Sequence, residues 1–226
     1  MKIGVLGTGM VGATIATKLI ALGNEVMLGS RNAGSEKAET WAQANGANAS
    51  QGAYAQAARF GEILFNCTQG TASVEALQSS GADNLKGKIL IDVANPLDFS
   101  HGAPPTLSIC NTDSLGELIQ RTFPETKVVK TLNTVNCGVM VNPALVPGDH
   151  DIFVCGNDAD AKARVADILK QGFGWRSVTD LGDISAARAT EQMMPIWLRL
   201  YGVLGTLHFN VRVVTASGSS SKQGAK

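Results

Sequence analysis

The chain has no charge excess: 19 lysines and arginines balance 19 aspartates and glutamates. A protein that grips nucleic acid or an anionic membrane surface needs a basic surplus, so neither partner is expected. Long apolar runs are also missing, and no stretch approaches the ~20 residues that span a bilayer. The first strand begins at residue 2, which predicts no signal peptide and a cytoplasmic protein. Cys67, Cys110, Cys137 and Cys155 form no C-x-x-C pair, and three of them sit in or beside apolar strands. That placement fits reduced structural thiols. His101, His150 and His208 lie far apart with no H-x-x-x-H spacing, so no metal centre is expected and each reads as a surface or packing residue.

What the chain does have begins at its first residue. "MKIGVLGTGMVG" runs an apolar strand, Ile3 to Leu6, into Gly7-Thr8-Gly9-Met10-Val11-Gly12, the G-x-G-x-x-G spacing. In the dinucleotide fold Gly7 permits the turn, Gly9 lets the pyrophosphate approach the backbone, and Gly12 lets the helix pack closely on the strand. The helix N-terminus then receives the phosphate charge. "ATIATKLIALG" continues with Ile15, Leu19, Ile20 and Leu22 near one helical face and stops at Gly23. The strand "NEVMLGSR" follows. Together these segments have the size of one βαβ unit, about 30 residues.

The second strand ends Leu28-Gly29-Ser30-Arg31, with no acid. An acid there hydrogen-bonds the adenosine ribose and repels a 2′-phosphate, whereas an arginine accommodates that phosphate. Ser30 offers a hydroxyl, Arg31 a guanidinium fork, and Lys37 lies one or two helical turns further on. The pattern predicts an NADP site. The nearest acids, Glu36 and Glu39, fall past the loop in helical sequence.

Strands and helices go on alternating through "GEILFNCT", "GKILIDVANP", "TKVVKTLNTV", "HDIFVCGND" and "WRSVTDLG". Continuous apolar runs of this kind suit a parallel sheet covered on both faces. The expected fold is α/β: a doubly wound, mostly parallel Rossmann sheet with a small C-terminal helical extension. The expected division is a dinucleotide-binding domain over residues 1–148, a small α/β portion with a terminal helix over 149–212, and a disordered polar tail over 213–226. The terminal helical stretch, residues 184–207, is interrupted by Pro195. Its wide apolar face packs on the sheet, walls a substrate cleft, or forms a homodimer contact through Met193, Met194, Trp197 and Tyr201.

The N-terminal unit together with "ILIDVANPLD" and "KVVKTLNTVNCGVMVNP" resembles the NADPH-dependent coenzyme F420 reductases over residues 1–212. The same segments are similar to the cytoplasmic oxidoreductase domain of the six-transmembrane STEAP ferric reductases. The resemblance implies NADP(H) as cofactor and a deazaflavin, coenzyme F420, or a flavin as second substrate. It implies that Thr8, Gly9, Met10 and Val11 hold the pyrophosphate and that Ser30, Arg31 and Lys37 form the 2′-phosphate pocket. It also places Thr68, Gln69 and Gly70 beside the cofactor's ribose, and Asn95, Pro96, Asn133, Asn136 and Cys137 around the nicotinamide. The chain departs from that family at "ANPLDFSHG", where the deazaflavin enzymes carry a longer loop rich in valine and proline. It departs again at Asn133-Thr134-Val135-Asn136, where they carry His-Thr-Ile-Pro.

The implied chemistry is hydride transfer between stacked rings, which needs proximity and orientation more than a proton donor. No catalytic acid or base stands out, and Asp92 and Asp98 read as capping or solvated carboxylates. Three alternatives stay open: an NADPH-dependent ferric or flavin reductase without F420 activity, a relative of the imine reductases, and a non-catalytic NADPH-binding regulator. The imine reductase reading wants a long helical domain for which the chain has no room.

Overall fold

The computed structural model describes residues 1–216. In chain order the strands are β1 (Lys2–Leu6), β2 (Glu25–Ser30), β3 (Ala49–Ala53), β4 (Ile63–Asn66), β5 (Ile89–Asp92), β6 (Leu97–Asp98), β7 (Thr106–Leu107), β8 (Lys127–Thr131), β9 (Asp151–Cys155) and β10 (Ser177–Asp180). The helices are α1 (Met10–Ala21), α2 (Glu36–Asn45), α3 (Tyr54–Phe60), α4 (Ser73–Ser80), α5 (Ala82–Leu85), α6 (Leu115–Thr122), α7 (Cys137–Val141), α8 (Ala159–Asp167), α9 (Ala187–Glu191) and α10 (Met194–Leu204).

Eight strands form one sheet in the order β10-β9-β8-β5-β4-β1-β2-β3, while β6 and β7 make a separate short hairpin. From β3 to β8 every pairing is parallel. After Lys2, β1 is buried at every residue, as a central strand covered on both faces must be. Its neighbours show the two-residue alternation of a pleated strand. Ile63 and Phe65 face one helical layer with Ile15, Leu19 and Val129, whereas Leu64 faces the other with Leu77, Leu90 and Ile119. Each such fully buried aliphatic side chain contributes about 1.5–3 kcal/mol, so these two cores fix the sheet between its layers and hold its strand ends in place.

The expected fold class is what is observed, with one change of direction. β9 runs antiparallel to β8, and β10 runs parallel to β9. A parallel return needs a connection that carries the chain back along the whole strand. After β8 the chain has only the five-residue α7 and a short 3₁₀ turn, Pro143–Leu145, and it re-enters the sheet from the end it left. The strands of segment 149–212 therefore extend the sheet built by 1–148 through the β8–β9 pair. Of the tail expected from residue 213, Val213 donates its N–H to Asp151 Oδ2 at 2.6 Å. Residues 217–226 lie outside the described residues.

Pro195 occupies the first turn of α10, where its missing N–H costs no hydrogen bond, so it starts that helix rather than breaking it. Among the described residues no helix is long and apolar enough to cross a membrane.

Candidate functional site

β1 and β4 are neighbours, but the chain leaves β1 toward β2 and β3 and leaves β4 toward β5 and β8. Helices diverge at such a switch point and open a crevice beyond the carboxyl ends of the strands. The glycine-rich turn lies across it. Gly7 has φ +115°, donates its N–H to the Gly29 carbonyl at 2.9 Å, and leaves no room for a side chain because a Cβ would lie 2.6 Å from the Cys67 carbonyl oxygen. A Cβ on Gly12 would fall 1.9 Å from the Gly7 oxygen. Gly9 differs: the space where its Cβ would stand is open, and as N-cap of α1 it supplies no side-chain bond to the first-turn N–H groups. Those donors and that space match an incoming phosphate.

Beside the turn lies a cleft of about 300 Å³. It brings together Met10, Val11, Thr68, Gln69, Gly70, Asn95, Asn133, Asn136 and Cys137 from the expected site, with Met194 and Trp197 of α10 as an outer wall. Thr8 and Pro96 do not line it. Pro96 is buried behind Asn95, where its carbonyl accepts the Ser108 N–H at 2.8 Å. Arg31 and Lys37 are exposed beyond the end of β2. Ser30 is buried, and its hydroxyl donates to the Asn32 carbonyl at 2.6 Å, bracing the loop that carries Arg31.

The two strand-end walls are fastened to each other. Asn95 Nδ2 donates to the Asn133 carbonyl at 2.7 Å, and Asn133 Nδ2 donates to Asn95 Oδ1 at 2.9 Å. Just before Asn133, Leu132 is fully buried with φ +62°, a left-handed conformation costly for a branched side chain. Such strain persists only where the surroundings impose it, and here it turns the chain out of β8 into the cleft wall.

Beneath the walls lies a charge cluster that the sequence reading missed. Lys130 is fully buried on β8 and pairs with Asp92 at 2.8 Å and with Glu191 at 2.8 Å. Burial pulls the Lys130 ammonium down, but the two carboxylates outweigh it and leave Lys130 above its ordinary value. Asp92 is therefore an ion-pair partner rather than a solvated carboxylate. Its second oxygen accepts from Asn66 Nδ2 at 2.8 Å and the Ala94 N–H at 3.2 Å. Asp98 does act as a local cap, accepting the Ser100 N–H at 2.8 Å, which holds its carboxyl below the usual range. The visible sequence signal was a lysine inside the apolar run "KVVKT". Phe99, 53% exposed at the cleft mouth, was also missed.

Cys67 lines the cleft, and burial, reinforced by Asp92, pushes its thiol far up. It is a packing residue and not a nucleophile. A larger hollow of about 570 Å³, around His150, Trp175 and Arg176, shares no residue with the glycine turn or the strand-end walls. His150 accepts from Asn210 Nδ2 at Nδ1, 2.9 Å away, and its Nε2 donates to the Pro143 and Val146 carbonyls at 3.1 and 3.2 Å.

This geometry can be set beside known proteins. The F420-dependent NADP reductase of Methanocaldococcus jannaschii is 32% identical over 211 residues, covering 88% of this chain and 92% of the relative. The chain belongs to the coenzyme F420-dependent NADP oxidoreductase family. The family's own model, NADP oxidoreductase coenzyme F420-dependent, matches residues 2–96, from β1 through Pro96. A crystal structure from Arthrobacter sp. FB24, proposed there to be an F420-dependent NADP reductase, is 52% identical with a TM-score of 0.91, covering 95% of this chain and 100% of that one. The rat metalloreductase STEAP3 is 28% identical over 204 residues, which is 87% of this chain and 38% of that protein.

Proposed function

We propose that this member of the family transfers a hydride between NADP(H) and a deazaflavin of the coenzyme F420 type. The observation that carries the reading is the cleft itself. It joins an open glycine turn at the switch point to an apolar slot between the Asn95–Asn133 pair and the Trp197 wall. Both rings of the reaction are flat and conjugated, and a slot of this composition suits them.

The residues present fit a dinucleotide. The first-turn N–H groups of α1, next to Gly9, would take the pyrophosphate, and Thr68 to Gly70 would border the ribose. Arg31, with Lys37 beyond it, would take the 2′-phosphate. Asn95, Pro96, Asn133, Asn136 and Cys137 would surround the nicotinamide, Pro96 from behind Asn95. When bound, NADP(H) supplies the hydride chemistry. The chain's part is to orient and to exclude water: the amide pair fixes the spacing of two walls, and Met10, Met194 and Trp197 present apolar surface to the slot. Ring-to-ring hydride transfer requires reacting atoms within about 3–3.5 Å and no proton relay. The outward apolar face of α10 is assigned to a second copy of the chain, making a homodimer.

The similarity to STEAP3 favours a second reading, an NADPH-dependent flavin or ferric reductase using the same slot. The test is NADPH oxidation, followed by its absorbance, across oxidised coenzyme F420, free flavins, ferric chelates, keto acids and imines. Turnover with F420 above all others supports the first reading, and turnover only with flavin or ferric chelate supports the second. Turnover with a keto acid alone overturns both. Tight NADPH binding with no acceptor active points to a regulator.

A further inference from the structure

The buried charge cluster joins parts of the cleft that are distant in sequence. An ammonium has three donors, and those of Lys130 go to three acceptors: Asp92 Oδ2, the Ala94 carbonyl and Glu191 Oε1. Each acceptor sits at the root of a cleft wall. Asp92 ends β5, and Ala94 precedes Asn95. Glu191 ends α9, three positions before Met194. Lys130 itself stands three positions before Asn133. The cluster also reaches Thr68, since Asp92 Oδ1 accepts from Asn66, whose Oδ1 accepts the Thr68 hydroxyl at 2.6 Å.

The charges do not balance at Lys130 alone, because one ammonium faces two carboxylates. The remainder is met by α6: the Leu115 and Gly116 N–H groups donate to Glu191 at 2.8 and 3.0 Å, at a helix N-terminus that favours an anion. Neither Lys130 nor Glu191 lines the cleft. Buried ion triads are also not needed for stability as such, since apolar replacements of similar volume are often as stable. This one links β5, β8 and α9, the elements that lead into the strand-end walls and the α10 wall.

We propose that Lys130 is a positioning residue for hydride transfer, tying the Asn95–Asn133 walls to the Met194–Trp197 wall and so setting the width of the slot in which the two rings stack. This rests on the slot being the hydride-transfer site. Lys130 does not touch the reacting atoms; it acts through the walls.

The experiment compares wild type, Glu191→Gln, Lys130→Met and the triple variant Asp92→Asn/Lys130→Met/Glu191→Gln in the full chain. It reads NADPH affinity by fluorescence, kcat and KM with oxidised coenzyme F420, Tm, and amide hydrogen exchange. In Glu191→Gln, kcat is expected to fall by about 10- to 100-fold, the cost of a small misplacement at the reacting atoms. NADPH affinity should stay within about threefold, because ground-state contacts are kept. The triple variant, without an uncompensated buried charge, should regain much of the Tm lost by Lys130→Met while kcat stays low. A folded Glu191→Gln variant with wild-type kcat overturns the proposal, and so does recovery of kcat together with Tm in the triple variant. If wild type fails with F420, the functional reading fails and exchange decides the tie by itself. Faster exchange in residues 92–97 and 187–197 together, in Glu191→Gln or Lys130→Met, supports it, and faster exchange in one segment alone overturns it.

Discussion

Asn95 and Asn133, 38 positions apart, hold each other reciprocally, each donating its side-chain amide to the other residue at 2.7 and 2.9 Å. The pair clamps the ends of neighbouring strands β5 and β8, whose register is already fixed below them by the Asp92 and Lys130 pairing. Two bonds at the strand ends thus convert sheet register into cleft geometry.

Asn133→Ala removes one of those bonds and leaves Asn95 Oδ1 without its donor. The expected result is a fall in kcat of about 10- to 100-fold, with NADPH affinity changed far less, because near-attack geometry is more sensitive than binding. Single-turnover kinetics with excess enzyme is the check. A wild-type rate would reduce the pair to a packing feature.

Much of this was legible in the sequence because local pattern and tertiary environment agree there. The glycine spacing after an apolar strand and the buried runs of β4, β5 and β8 match the turn and the strands observed. β3 did not, since Ala49–Ala53 is the polar segment "ASQGA" on a sheet edge, where no apolar run is required. The reversal at β9 also escaped, because its own residues look the same whichever way the strand runs. Lys130 and Glu191 were missed for a third reason: a buried charge is recognisable only from its partners, and Glu191 comes from a different helix far along the chain.

Arg31 is exposed at the end of β2, while the Ser30 hydroxyl is engaged with Asn32. The 2′-phosphate preference is therefore expected to rest on Arg31. One charge-assisted contact is worth ~1.5 to 3 kcal/mol, which corresponds to about 10- to 150-fold in affinity. Arg31→Ala should raise the NADPH dissociation constant by that factor and leave NADH almost untouched. Calorimetry with both cofactors measures it, and an equal loss for both would place the 2′-phosphate elsewhere.

Stability should depend on pH through the contact between α6 and α9. Arg188 grips Glu117 with two nitrogens, Nε at 2.8 Å and Nη2, and this pairing, helped by Ser114 and opposed by burial, holds the Glu117 carboxyl below its ordinary range. A carboxyl depressed in the folded state adds stability that is present above its unfolded value and lost as pH falls through its folded value. Arg121 acts in the same direction on Asp113. Tm is therefore expected to fall below the ordinary carboxylate range, and to fall less steeply in Glu117→Gln. Parallel melting curves for the two proteins across acidic pH would refute this.

α10 carries the last prediction. Within it only Met194 is buried, while Trp197 is half-buried and stacks on Phe209 at 5.2 Å. These two face the cleft, so the contact expected at Met193, Met194, Trp197 and Tyr201 shifts to the outward side. There Ile196 is 54% exposed and Val203 82%, with Leu204 beside them at 52%, whereas Tyr201, 44% exposed, stacks on Trp197 at 5.9 Å on the cleft-facing side. One helix face of this kind is a costly surface in water, and pairing it with the same face of a second copy buries it with two-fold symmetry. A stable pair needs about 1,200–2,000 Å² in total, so flanking residues such as Leu207 must join it. Light scattering at micromolar concentration should give a dimer, and Val203→Glu/Leu204→Glu should give a folded monomer that still binds NADPH, because neither residue lines the cleft. A wild-type monomer would sink the assignment. A double variant that stays dimeric would move the interface to another face of the sheet's helical layers.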